Sequence, residues 1–298
     1  MGSTHGNPIG PSALLGYLRM DYSSYIGIAL PGKGSSPLIG QINFNPGDQN
    51  AHLTFLAPES KLDDRALLAL LDHLSWESGG RGALRLLVEI EEDHPVFEIL
   101  RFSGFSVYSH QQVWQFTKTE TNGDKNQLWR SFQPIDQHNF NNLYHAVVPP
   151  LVQGAEAMDK RSVQGFVHYV EGELMAFMGV TSGPKGVFLT PVVHPDVREP
   201  EQILSALLRM INGSNGRHMY IAVRDYQSWL NGASETLGGV PGTRKILLVK
   251  HLISKQRVSI PATIRKVLES HGTEPTSPIV NRSSKLNETS NDIISSKS

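Results

Sequence analysis

The apolar positions of this chain change period several times, and each change marks an element. Tyr25 to Leu30 reads as a strand, Pro31 to Pro37 as a turn, and Leu38 to Phe44 as the return strand. Ala51 to Ala57 is a third strand. Asp64 to Ser78 then takes a helical period, with Leu67, Leu68, Leu70, Leu71 and Leu74 on one broad face and Gly79-Gly80 as the expected stop. Leu84 to Ile90 is an almost unbroken apolar run, which predicts a central strand buried on both faces. Pro95 opens a short helix through Val96, Phe97, Ile99 and Leu100. Gly104 ends it, and Phe105 starts a strand containing Val107 and Val113 to Phe116.

The second half repeats this order. Asn139 to Met158 predicts helix, interrupted at Pro149-Pro150. Val163 to Val170 and Leu174 to Val180 alternate around Glu171-Gly172, a hairpin signal. Val187 to Val193 is the next strand. Pro191 inside it demands an edge, a bulge or a broken ladder. A helix from Pro200 to Ile211, a short buried strand from Met219 to Val223, a helix from Trp229 to Leu237 closed by Gly238-Gly239, and a strand from Lys245 to Val249 complete the series. The spacing from Pro58 to Leu71 equals that from Pro195 to Leu208, and each proline is followed by an acid and then a base. A duplicated strand–turn–helix unit follows. The expected organisation is a loose start at 1–11, unit one at 12–118, a polar linker at 119–127, unit two at 128–252, and a Ser/Thr/Asn/Lys-rich tail at 253–298 without apolar periodicity.

Composition narrows the field. A formal net charge of -1 over 298 residues lacks the basic field of a general nucleic-acid binder. With no cysteine there is no disulfide framework, thiolate nucleophile or zinc ribbon. The twelve histidines form no His-x-x-x-His pair, so no metal site is expected. No signal pattern or membrane-length apolar run is visible, and the expectation is a cytoplasmic protein with no membrane partner.

The order of a hairpin, a strand, a helix, a buried strand, a short helix ending in Gly-Phe and a final strand resembles the GNAT superfamily of N-acetyltransferases, in tandem. In the first unit, Leu86-Leu87-Val88-Glu89 and Phe97 to Phe105 carry the likeness. In the second, Val193-His194-Pro195-Asp196-Val197-Arg198 resembles the approach to the family's CoA loop. The resemblance implies an α/β fold of two GNAT-like units, with mixed, mostly antiparallel sheets and flanking helices. It implies acetyl-CoA as cosubstrate and a small-molecule or protein amine as acceptor. Val192, Val193, Arg198 and Lys61 are then the candidate cofactor-binding residues, with the second unit the favoured copy.

The resemblance breaks at the turns that matter most. The family's turn offers glycine amides and a helix N-terminus to a pyrophosphate. Here Asp64 stands at the first glycine position of one turn, and Glu201 and Ile203 at both glycine positions of the other. A carboxylate about 5 Å from a phosphate charge costs about 3 kcal/mol at an effective dielectric near 20. The tyrosine that many GNAT enzymes use as an acid is replaced by Leu100 and Ser234. Glu89 and His194 are the remaining catalytic candidates, the carboxyl on the expectation that burial raises its pKa toward neutrality. Two readings stay open: an acyl-CoA-dependent N-acyltransferase, and a non-catalytic tandem fold that binds a ligand or a protein. Pairing of the final strands across units would give one pseudo-dimer per chain.

Overall fold

The computed structural model describes residues 23–30, 37–44, 48–58, 65–116, 128–156, 164–183, 186–212 and 218–252. The expected turn at 31–36, Lys61, Asp63 and Asp64, the linker at 119–127, and the segments 1–22 and 253–298 lie outside them.

The strands are β1 (Ser23–Ala29), β2 (Leu38–Phe44), β3 (Asn50–Ala57), β4 (Arg85–Glu91), β5 (Ser106–Phe116), β6 (Arg130–Ser131), β7 (Gly165–Val170), β8 (Glu173–Gly183), β9 (Gly186–Val193), β10 (His218–Arg224) and β11 (Val240–His251). The helices are α1 (Arg65–Gly80), α2 (Val96–Phe102), α3 (Gln137–Val147), α4 (Pro150–Ala155), α5 (Pro200–Asn212) and α6 (Trp229–Thr236). Three strands, a helix, a strand, a helix and a strand recur in that order from β1 to β5 and from β7 to β11.

Among the described residues, the eleven strands join one sheet, in the order β1-β2-β3-β4-β11-β5-β10-β9-β8-β7-β6. Two of its pairings, β3–β4 and β9–β10, are parallel, and each parallel pair brackets a crossover helix, α1 or α5. The chain's last strand enters the first half of the sheet. β11 lies between β4 and β5, and β5 in turn lies between β11 and β10. Long-range pairing of this kind leaves no trace in local periodicity.

Alternation along the strands sorts the core onto two faces. Ile246 and Leu248 of β11 pack with the Leu67–Leu70–Leu71–Leu74 stripe of α1, whereas Leu247 and Val249 join Phe140 and Leu143 of α3 and Val152 of α4. In β9, Leu189 and Val193 pack under Leu204, Leu207 and Leu208 of α5, and Val192 points to the α3 side. The expected double burial of β4 holds: Leu86, Leu87 and Val88 are all buried. The turn Glu171-Gly172 has both residues at positive φ, 50° and 88°, as a two-residue hairpin turn requires. α1 ends at Gly80, within the expected Gly79-Gly80 stop and two residues past the predicted Ser78. The backbone turns only at Gly82, with φ 96°, where a side chain would be strained. Among the described residues, no helix is long and apolar enough to cross a membrane.

Candidate functional site

Both parallel pairs part after four residues. β3 and β4 are in register from Asn50/Arg85 to Leu53/Val88, and β9 and β10 from Gly186/His218 to Leu189/Ile221. Each strand continues past its last partner, so each pair opens into a V. The two openings have different causes. In β3, Ile42 pairs with Leu53 and Gln41 with Phe55, so Thr54 is an inserted residue. Such a bulge kinks its strand, and here it turns β3 away from β4. In β9, Pro191 lacks the N–H that a continuing ladder would use.

The fate of the two openings also differs. Between β3 and β4 there is a cleft of about 370 Å³, lined by Leu53, Thr54, Phe55, Leu56, Val88, Glu89, Ile90, Glu91, His94 and Val96. Between β9 and β10 the gap is bridged by Gln227, at the end of the turn Asp225–Gln227. Its Nε2 donates to the Pro191 carbonyl at 2.9 Å, and its Oε1 accepts from the Val193 N–H at 2.8 Å. The Gln227 side chain is fully buried.

The same element order occurs twice, each time around a parallel pair that splays beside its crossover helix. The fold is that of the GNAT superfamily.

No protein-family model matches the sequence, and no curated protein matches it. Among solved structures the chain is similar to a functionally unknown conserved protein from Staphylococcus epidermidis, with a TM-score of 0.50 and 11% identity, covering 72% of this chain and 91% of that one. A GCN5-related N-acetyltransferase from Sphaerobacter thermophilus matches with a TM-score of 0.47 and 11% identity, over 82% of this chain and 87% of that one. A tandem GNAT protein from the clavulanic acid biosynthesis pathway matches with a TM-score of 0.41 and 14% identity, over 76% and 83%. At these identities the likeness concerns fold alone.

The GNAT frame places the sequence-derived residues as follows. Glu89 lies in the β3–β4 cleft and forms an ion pair with Lys245 of β11. Desolvation pushes its carboxyl up, but the charge and hydrogen bond of Lys245, aided by Arg224, outweigh that, and the net displacement is downward. The expectation of a carboxyl raised toward neutrality is therefore reversed, because the sequence gives no hint that β11 inserts beside β4. His194 sits in the turn after β9, away from that cleft. Its Nδ1 accepts the Asp196 N–H at 3.3 Å and lies 3.6 Å from the Asp196 carboxylate. Val192 and Val193 are buried, and the Val193 N–H is already taken by Gln227. Arg198 is exposed near the start of α5. The copy expected to hold the cofactor is thus the one whose opening is filled.

His94, a turn histidine that could serve as a base as His194 could, lines the β3–β4 cleft, whereas Gln227 carries no signal in the sequence. His94 follows Val88 at the same chain distance as Gln227 follows Ile221, the last paired residue in each case. His94 does something else: its Nδ1 accepts the Val96 N–H at 3.1 Å, capping its own turn. The positions where the family carries tyrosine hold Leu100 and Ser234. Both are fully buried, and the Ser234 hydroxyl donates to the Leu230 carbonyl.

A second polar cluster lies on the α3 side of the sheet. Arg224 Nη2 donates to Glu156 Oε1 at 2.7 Å, and the Tyr108 hydroxyl donates to the same oxygen at 2.5 Å. Tyr108 is the inserted residue of a bulge between β5 and β11, which turns it toward this face. Burial and the Glu156 charge push the Tyr144 hydroxyl up to about 12 and the Tyr108 hydroxyl further still.

Proposed function

We propose that this chain is a tandem GNAT-fold N-acyltransferase that takes an acyl group from acetyl-CoA, in the β3–β4 cleft, to an amine. On this reading 12–118 and 128–252 are the two units, and their final strands, β5 and β11, have changed places to form an internal pseudo-dimer. A cytoplasmic supply of acyl-CoA is the setting it implies.

The observation that carries the reading is the V between β3 and β4. Past Leu53, β3 stays paired to β2 as far as Ala57, while its register with β4 has ended. One strand edge therefore faces the cleft, and an extended amide chain can pair with such an edge as an added strand does. Thr54, Phe55 and Leu56 would hold the pantetheine arm through their main chain, with Val88 and Ile90 as apolar walls. Bound there, the thioester supplies an activated acyl group. Pairing with Lys245 cancels the Glu89 charge, so that carboxylate does not repel an anionic ligand. His94 lines the same cleft.

A second reading, a non-catalytic module that binds a ligand or a protein, is favoured by two observations. The tyrosine positions are filled by buried Leu100 and Ser234, and Glu89 is tied to a lysine. Calorimetric titration of acetyl-CoA into the full chain, with an acetyl-transfer assay over a panel of amines, separates the two. The acyltransferase reading expects binding and turnover, both lowered tenfold or more by Thr54→Trp. Binding without turnover selects the module. No heat at millimolar acetyl-CoA removes the cosubstrate.

A further inference from the structure

The two V-shaped openings arise differently, one at a bulge and one at a proline, and one is open whereas the other is filled by a side chain of the chain itself. Gln227 is fully buried and makes two hydrogen bonds to the edge of β9, beyond the last β10 partner. A primary carboxamide carries one acceptor and two donors. Here it meets the two main-chain groups that the parted strand leaves open. The Val193 N–H and the Pro191 carbonyl both point into the gap, as alternation requires of residues two apart. Pro191 itself has no N–H to satisfy. The gap therefore needs one amide and receives one. Unfilled, these buried groups would lack hydrogen-bond partners, so something has to fill this opening.

We propose that the β9–β10 opening is a latent second binding site for an amide-bearing extended ligand, held shut by Gln227 standing in for the ligand's amide. The ligand class rests on the acyl-CoA reading above, whereas the seal rests on the hydrogen bonds alone. The halves also differ in one turn. The carboxamide of Gln227 reaches across to the neighbouring strand, whereas the Nδ1 of His94, at the matching position, is occupied by its own turn at Val96. The chain then takes one equivalent of ligand, and shortening residue 227 admits a second.

Two measurements on the full chain test this. The first is amide hydrogen exchange. In the wild-type chain the Val193 N–H is protected. In Gln227→Ala it exchanges at least tenfold faster, while the Leu189 amide, in the part of β9 still paired to β10, keeps its rate. Gln227→Met preserves the bulk of the side chain without its hydrogen bonds and gives the same acceleration at Val193. Unchanged exchange in both variants overturns the seal.

The second measurement is the stoichiometry of CoA binding by calorimetry. The expectation is one equivalent for the wild type, two for Gln227→Ala, and one for Gln227→Met, which still fills the gap. One equivalent for both the wild type and Gln227→Ala overturns the latent site. None for the wild type and one for Gln227→Ala upholds the latent site but defeats the β3–β4 reading. None for either defeats both. If Gln227→Ala fails to fold, Gln227→Ser replaces it in both arms with the same expectations.

Discussion

Arg224 Nη2 lies 2.7 Å from Glu156 Oε1, tying the end of β10 to the residue that follows α4. Desolvation pulls the arginine pKa down, but Glu156 and Tyr108 push it up by more, so the guanidinium stays charged in a largely buried position. Breaking a buried pair leaves a charge without its counterion, at a cost of about 3–5 kcal/mol. Glu156→Gln should therefore destabilise the chain by about 3 kcal/mol in urea denaturation. The double variant Arg224→Met with Glu156→Leu should cost clearly less than the two single changes added together. Strict additivity would mean the two groups do not interact.

The Glu89–Lys245 pair makes a prediction about titration. A carboxyl held below its usual value adds stability above its unfolded pKa, and that stability is lost as the pH falls through the folded value. Lys245→Met removes the largest opposing influence and leaves desolvation in place. The Glu89 carboxyl, followed by carbon-13 NMR, should then titrate above the ordinary glutamate value and not below it. A titration that does not move on this substitution would show that Lys245 is not what holds it down.

Asp136 should give the chain an acid-labile joint. Hydrogen bonds from Arg130, at 2.7 and 2.6 Å, hold the carboxyl down at about 2 despite its burial, with further help from the Gln133 N–H and the Tyr169 hydroxyl. The unfolded carboxyl titrates near 3.8. The extra stability, about 2 kcal/mol, is full above that value and disappears as the pH falls toward 2. Asp136→Asn should flatten this part of the stability–pH curve. An unchanged slope between pH 4 and about 2 would contradict the assignment.

Two glycines should respond oppositely to a methyl group. A Cβ at Gly165 would lie 2.3 Å from the Met178 carbonyl oxygen and 2.8 Å from the Phe177 ring, whereas one at Gly154, in α4, meets nothing within 4 Å. Gly165→Ala should lower stability by about 1–3 kcal/mol through overpacking. Gly154→Ala should raise it by about 0.5–1 kcal/mol, because alanine loses less backbone freedom on entering a helix. Thermal melts of both variants check the pair, and equal shifts would contradict the packing at β7–β8.

The sequence was most legible where the signal is local. The apolar stripe of α1, the Glu171-Gly172 turn and the buried run of β4 each follow from nearest-neighbour periodicity and turn chemistry. The Gly79-Gly80 stop held to within two residues, with the positive φ falling at Gly82. The insertion of β11 between β4 and β5 was not legible, since strand pairing at such separation leaves no mark on spacing, and Lys245 beside Glu89 went unforeseen with it. Pro191 was rightly read as a break in the ladder. The break pointed to the β9–β10 opening, which a single buried glutamine, looking like any polar turn residue in sequence, fills.

The most direct test of the account is a crystal structure of the full chain grown with CoA. It should show the pantetheine arm along β3 from Thr54 to Leu56, with Gln227 still bonded to Pro191 and Val193. Ligand between β9 and β10 with Gln227 swung aside, or an empty β3–β4 cleft at saturating CoA, would contradict it.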